Sequence, residues 1–179
     1  MTKSLLAAPI LSLGLALIIA RAGKAAHQAN TKVEASLEIN APVSEVWEKS
    51  LEVRTWPEWI PSIQSTSFEG EELILGSKFK LKIRVRGITL PFTLTVCQYD
   101  QYQSIAWTTG KMMGITVVRS LSYEARGDQT LVTSREAFSG PLAGLVFRII
   151  TARELESIHV EWLKAIQQRV EATRPASDQ

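Results

Sequence analysis

The sequence predicts an α+β domain, one curved antiparallel sheet whose apolar face is covered by a long C-terminal helix. Three observations predict it. Between Ile63 and Ser139 the chain alternates apolar and polar residues in segments bounded by turn residues. From Pro141 to Arg174 the apolar residues recur at helical steps instead. Ahead of both lies one further strand leading into a short helix. With 179 residues, 45% hydrophobic and 21% charged, the chain can bury one core, and wholesale disorder is excluded.

The first segment stands apart. Leu5 to Ala20 is an uncharged apolar run, preceded by Lys3 and followed by the small-x-small step Ala20-Arg21-Ala22. It reads as a secretory leader, as an uncleaved membrane anchor, or as a hydrophobic helix packed on the domain. As a helix its sixteen residues rise about 24 Å, short of a ~30 Å hydrocarbon core without help from its flanks. Residues 1–22 are thus expected to export or anchor the protein. The side of the membrane is left open, because Lys3 precedes the run and Arg21 and Lys24 follow it. Residues 23–32 read as a linker, 33–174 as the domain and 175–179 as a disordered tail.

Val33 to Ile39 alternates as a strand, with Val33, Ala35, Leu37 and Ile39 on one face. Asn40-Ala41-Pro42 then opens a helix with an inner stripe of Val43, Val46, Trp47, Ser50 and Leu51. Two prolines between Thr55 and Pro61 limit that segment to a turn. Trp56 and Trp59 are expected in the core or at the mouth of the sheet. Strands follow at Ile63–Glu69, Lys78–Arg86, Phe92–Tyr99 and Ser104–Thr109. Cys97 falls on the outer face with Thr93, Thr95 and Tyr99. Gly110 to Gly114 reads as a Met-rich loop suited to gating the interior or touching a membrane.

Ile115–Arg126 and Thr130–Ser139 form a hairpin around Gly127-Asp128, a glycine-first turn. Its register places Tyr123 opposite Val132, Leu121 opposite Ser134, Arg119 opposite Glu136 and Val117 opposite Phe138, on the inner face. A one-residue slip would set Arg119 against Arg135, which like charges disfavour. Arg119 and Glu136 are therefore expected as a buried cross-strand pair, since an unpaired buried charge is very costly. That pair serves structure, anchors the polar end of a ligand, or moves a proton. In the final helical segment Leu155, Ile158, Trp162, Leu163, Ile166 and Val170 form an apolar stripe, and a break is expected near Thr151 to Arg153. His159 borders that stripe, either as a hydrogen-bonded core histidine or as an interior acid or base. Trp107 shares the inner face with Ile105.

Twenty basic residues against eighteen acidic ones give a net charge of +2. Without Lys3 and Arg21 the balance is zero, so nothing points to nucleic acid. The distribution is uneven. Residues 34–72 hold nine acids and two bases, whereas Lys78, Lys80, Lys82, Arg84 and Arg86 share one face of one strand. That row is a solvated sheet face or a contact for anionic lipid headgroups, through Lys80, Lys82, Arg84 and Arg86 above all. One cysteine and two histidines exclude a disulfide within the chain and a cysteine-rich or multi-histidine metal site. No phosphate-binding glycine loop is present, and no cofactor is expected.

The stretch LEINAPVSEVWEKSLEVRTWPEWIPSI resembles the opening of START-like (SRPBCC) proteins, and within them the polyketide cyclase/dehydrase and lipid transport family. The matching features are the Asn-Ala-Pro step after the first strand, the Val-Trp of the helix, and Trp56, Trp59 and Pro61. SREAFSGPLAGLVFRII ahead of a long helix fits as well. The resemblance implies a helix-grip fold, with the sheet gripping the C-terminal helix around a hydrophobic cavity. It further implies binding or transport of a hydrophobic small molecule, lipid-like or polycyclic. The inner-face register and the helix stripe, not the resemblance, name the side chains that would meet such a ligand: Trp107, Val117, Arg119, Leu121, Tyr123, Glu136, Phe138, His159 and Trp162. The alternatives are an enzyme of the cyclase, aromatase or dehydratase type, and an interaction module with a filled core acting at a membrane surface.

Overall fold

The computed structural model describes residues 31–112 and 114–173. The apolar segment 1–22 and the tail 175–179 lie outside them. Seven antiparallel strands form one sheet in the order β1-β7-β6-β5-β4-β3-β2. They are β1 (Thr31–Ile39), β2 (Ile63–Phe68), β3 (Lys78–Val85), β4 (Ile88–Asp100), β5 (Ser104–Met112), β6 (Ile115–Arg126) and β7 (Gln129–Ser139). Between β1 and β2 the chain crosses from one sheet edge to the other through α1 (Val43–Ser50), a 3-10 turn and α2 (Trp56–Trp59). After β7 come α3 (Ala143–Ile149) and α4 (Ala152–Thr173), a 22-residue helix packed on the sheet and on α1. Among the described residues no helix is long and apolar enough to cross a membrane.

The elements follow from local chemistry. β1 opens at Thr31, inside the expected linker, because Thr31 and Lys32 already pair with Phe138 and Ala137 of β7. Val46, Trp47 and Ser50 of α1 are buried, with Val43 and Leu51 packed beside them. The break between α3 and α4 falls at Ile150-Thr151. Thr151 Oγ1 accepts from the Glu154 amide at 3.2 Å, while Glu154 Oε2 accepts from the Thr151 amide at 2.8 Å. This reciprocal capping box starts α4. Gly127 has φ of 62°, as a glycine-first turn requires.

Bulges bend the sheet and correct two expectations. At the irregularity between Val96 and Gln98 one residue drops out of the ladder, so Val96 faces Trp107 while Gln98 faces Ala106. Cys97 is exposed there, and parity shifts beyond it. Tyr99 therefore turns inward to meet Trp47 at 5.6 Å instead of sharing the outer face. The segment Gly110–Met112 is also no loop. After a second irregularity between Thr108 and Lys111, it extends β5, with Lys111 opposite Thr116 and Met112 opposite Ile115.

The apolar core has two parts. The larger spans α1, α2, α4 and most of the concave face. The smaller joins Val33, Phe138, Ala143 and Leu155, with Val117 and Ile158 packed on it.

Candidate functional site

The β6–β7 register is the expected one throughout: Val117 faces Phe138, Arg119 faces Glu136, Leu121 faces Ser134 and Tyr123 faces Val132. α4 lies over this face and brings His159 and Trp162 to it. Val117 and Phe138 belong to the smaller apolar cluster, Leu121 and Tyr123 to the larger. Arg119, Ser134 and His159 are all buried, and Glu136 keeps a side-chain exposure of 17%. They make a polar group within an otherwise apolar face.

The expected direct pairing of Arg119 with Glu136 is indirect. Arg119 lays its guanidinium over the Trp162 ring, 3.8 Å from the centroid, and Nη2 reaches Ser134 Oγ at a long 3.4 Å. Ser134 Oγ lies 2.8 Å from His159 Nδ1, and His159 Nε2 lies 3.4 Å from Glu136 Oε2. The last separation suits an ion pair but is long for a hydrogen bond. One proton assignment is consistent along the whole chain of contacts. Arg119 donates to Ser134, Ser134 donates to His159 Nδ1, and His159 Nε2–H points at the Glu136 carboxylate.

Burial and the neighbouring charges set the charge state of each group. Burial pulls the Arg119 guanidinium down to about 10, with Glu136 acting in the opposite sense. Burial also lowers His159, and Arg119 adds to that, outweighing Glu136. The imidazole is thus neutral at pH 7. Burial works against the Glu136 carboxylate, but His159 and Arg119 together hold it below the usual carboxylate value. The site carries one cation, one anion and a neutral imidazole between them.

Three buried donors of this site meet no hydrogen-bond acceptor among the described residues: Arg119 Nε, Trp162 Nε1 and His159 Nε2, the last facing Glu136 Oε2 at 3.4 Å. Around them Trp56, Trp107, Trp162 and Phe79 pack edge-to-face or tilted, with centroids 5.2 to 6.2 Å apart. Trp56 is fully buried and bonds the Ser50 carbonyl through Nε1 at 2.9 Å. Trp59 is only partly buried and bonds Thr55 Oγ1.

Tyr123 has a committed hydroxyl. It sits 2.6 Å from Ser50 Oγ, which in turn donates to the Trp47 carbonyl at 3.0 Å. Burial raises its phenol accordingly. Ser134 is the participant that sequence reasoning passed over. The available signal was a serine at an inward position of β7, one residue pair from Arg119.

On the convex face Lys78, Lys80, Lys82 and Arg84 are exposed in one row. Arg86 does not continue it. It occupies the β3–β4 turn with φ of 50°, bonds the Ile149 carbonyl at 3.0 Å, and pairs with Glu154 at the start of α4. Among the described residues no cluster of His, Cys, Asp and Glu could hold a metal ion.

The comparisons agree with this architecture. No curated protein matches the chain in sequence. A Thermus thermophilus protein superposes with a TM-score of 0.69 at 14% identity, covering 81% of this chain and 100% of its own. The Zhui aromatase/cyclase of a Streptomyces species gives 0.67 at 18%, covering 84% and 99%. A START superfamily protein of Mycobacterium smegmatis gives 0.65 at 16%, covering 80% and 99%. At such identities the likeness shows the helix-grip fold. Residues 30–171 match the family model described as polyketide cyclase / dehydrase and lipid transport, and the chain belongs to that family.

Proposed function

We propose that this domain binds an amphipathic, mainly apolar molecule, lipid-like or polycyclic, within the grip, and that Arg119 holds its polar end. The observation that carries this reading is the pair of buried donors, Arg119 Nε and Trp162 Nε1, with no acceptor within reach among the described residues. A buried polar group left unsatisfied costs about 1–3 kcal/mol, more when charged. A carbonyl, hydroxyl or carboxylate oxygen of a ligand would offset that cost. Trp107, Leu121, Val117 and Phe138 offer apolar contact on the same face, and Glu136 with His159 fixes the guanidinium's surroundings. Family membership supports the coarse class, since hydrophobic ligands are common to it. Residues 1–22 would hold the domain at a membrane or export it, which alkaline extraction and N-terminal sequencing of the mature protein distinguish.

The test is native mass spectrometry of the full chain, followed by solvent extraction. A reproducible amphipathic molecule should co-purify, and Arg119→Met should lose it while remaining folded. A clean ligand-free mass, unchanged after incubation with mixed lipids and aromatic compounds, would overturn the reading.

One observation favours an enzyme as the second reading. His159 is neutral, buried and set between Ser134 and Glu136, so its Nδ1 is placed to take the Ser134 hydroxyl proton as a general base. The Zhui neighbour, itself an aromatase/cyclase, fits that reading. Turnover abolished in His159→Ala with binding retained would support it, and unchanged turnover would remove it.

A further inference from the structure

The sheet forks at one end. The β4–β5 ladder stops at Thr95 opposite Thr108. Beyond it, among the described residues, β4 pairs only with β3, as far as Val85 and Ile88, and β5 only with β6, as far as Met112 and Ile115. The helices close on the same end. Arg86, at the β3–β4 tip, is tied to Ile149 and Glu154 at the α3–α4 junction. At the β5–β6 tip, a Cβ on Gly140 would lie 2.4 Å from the Gly114 carbonyl oxygen, so β7 enters α3 in direct contact with that turn. Two hairpin tips and one helix junction therefore frame a single rim.

The rim has a distinct chemistry. Ile88 is 63% exposed and Ile149 60%, and Leu90 and Met112 are exposed as well. Residues 78–93, 108–117 and 140–153 carry five, one and two basic residues, and no acid. Glu154, at the α3–α4 junction, is paired with Arg86. Asp100 and Asp128 lie at the other end, in or beside the β4–β5 and β6–β7 turns. The chain also enters the domain at the rim end. Thr31 pairs with Phe138, which pairs with Val117. The apolar run Leu5 to Ala20 therefore ends ten residues before the described domain begins at Thr31.

We propose that this rim docks on an anionic membrane surface, with Ile88 and Ile149 entering the headgroup boundary and Arg84, Lys111 and Arg148 meeting lipid phosphates. Separate apolar tips ringed by charge of one sign suit a fluid anionic surface better than a shaped protein partner, whose interface core is depleted of lysine. Each basic residue at such a surface is worth roughly five-fold in partitioning. The docking places the fork between β4 and β5 against the bilayer, and as a route for ligand it rests on the binding function proposed above. The contact then lies at the rim and not along the flat convex row.

The test uses the full chain with Cys97→Ser and a single labelled cysteine, Ile88→Cys at the rim or Asp128→Cys at the far end. Vesicles carry a lipid-borne quencher, with or without about 30% phosphatidylglycerol. Docking predicts quenching at position 88 but not at 128, in the anionic vesicles, weakened by high salt. Adding Arg84→Glu and Arg148→Glu, both at exposed positions, should reduce it at least about five-fold. Equal quenching at both positions, none at 88, or indifference to anionic lipid would overturn the proposal. So would a position-88 probe already shielded without vesicles, since a protein segment or second copy would then cover the rim. Ligand found by mass spectrometry with position 88 unquenched removes the docking alone. Quenching with no ligand removes the binding reading alone.

Discussion

Glu136→Gln isolates what the buried cation depends on. Arg119 is fully desolvated, and its one counter-charge faces it across the β6–β7 ladder. The neutral His159 imidazole, not Arg119, contacts the carboxylate, so Coulomb attraction acts on Arg119 through space. For charges on facing cross-strand residues, about 5 Å apart, and an effective dielectric near 20, it amounts to about 3 kcal/mol. Glutamine is nearly isosteric and still offers an oxygen to His159, so the loss is mainly charge. Glu136→Gln should destabilise by about 2–3 kcal/mol, a fall of about 5–10 °C in Tm for a domain of this size. Arg119→Met forfeits the stacking on Trp162 and leaves the Glu136 carboxylate without its cation, so it should also destabilise, by about 2–4 kcal/mol. In the Arg119→Met background, Glu136→Gln should cost under about 1 kcal/mol. Urea unfolding, followed by tryptophan fluorescence with m held constant, measures all four corners of the cycle. An equal cost of Glu136→Gln in both backgrounds would refute the reasoning.

Three further outcomes follow from the same geometry. Ser50→Ala strands the Tyr123 hydroxyl and should cost about 1–3 kcal/mol, whereas adding Tyr123→Phe to it should recover part of the loss; additive costs in a double-mutant cycle would deny the bond. Gly140→Ala should lower thermal stability sharply, by more than about 2 kcal/mol, because φ is 104° there and the new methyl would lie 2.4 Å from the Gly114 oxygen. Acid should weaken the fold in two stages. His159 is lowered from 6.5, so the folded state binds fewer protons than the unfolded one, and stability present above pH 6.5 is lost as pH falls toward its folded value. Glu136, lowered from 4.5, acts with the same sign further down. Tm measured against pH should lose the first stage in His159→Gln and keep a smaller second one, since Arg119 still holds Glu136 down.

The polar layer joins stability to function. Arg119, Ser134, His159 and Glu136 interrupt the apolar face, with Val117 and Phe138 in one core cluster and Leu121 and Tyr123 in the other. An apolar replacement would fill that space at less electrostatic cost. A site built to receive a polar ligand end is the use that the unpartnered donors suit.

Much of the architecture was legible in the sequence because its signals are local. Alternation sets which face a residue takes, Gly127-Asp128 sets the turn, and avoidance of an Arg119–Arg135 clash sets the β6–β7 register. A break near Thr151 to Arg153 was legible as well, and the Thr151–Glu154 capping box fixes it. Other features depended on partners distant in the chain. Trp162 captures the Arg119 guanidinium from a helix 43 positions later, so the facing charges meet only through Ser134 and His159. The bulge at Cys97 reverses side-chain parity with no local mark, which is why Tyr99 turned inward. Arg86 left the basic row because two-residue hairpin geometry put it in the turn, where Glu154 and Ile149 hold it. The sequence by itself determined the periodicities and therefore the elements and their faces. Tertiary structure alone decided which charges meet, where the sheet forks and which donors stay unpaired, because those depend on distances between segments that periodicity does not encode.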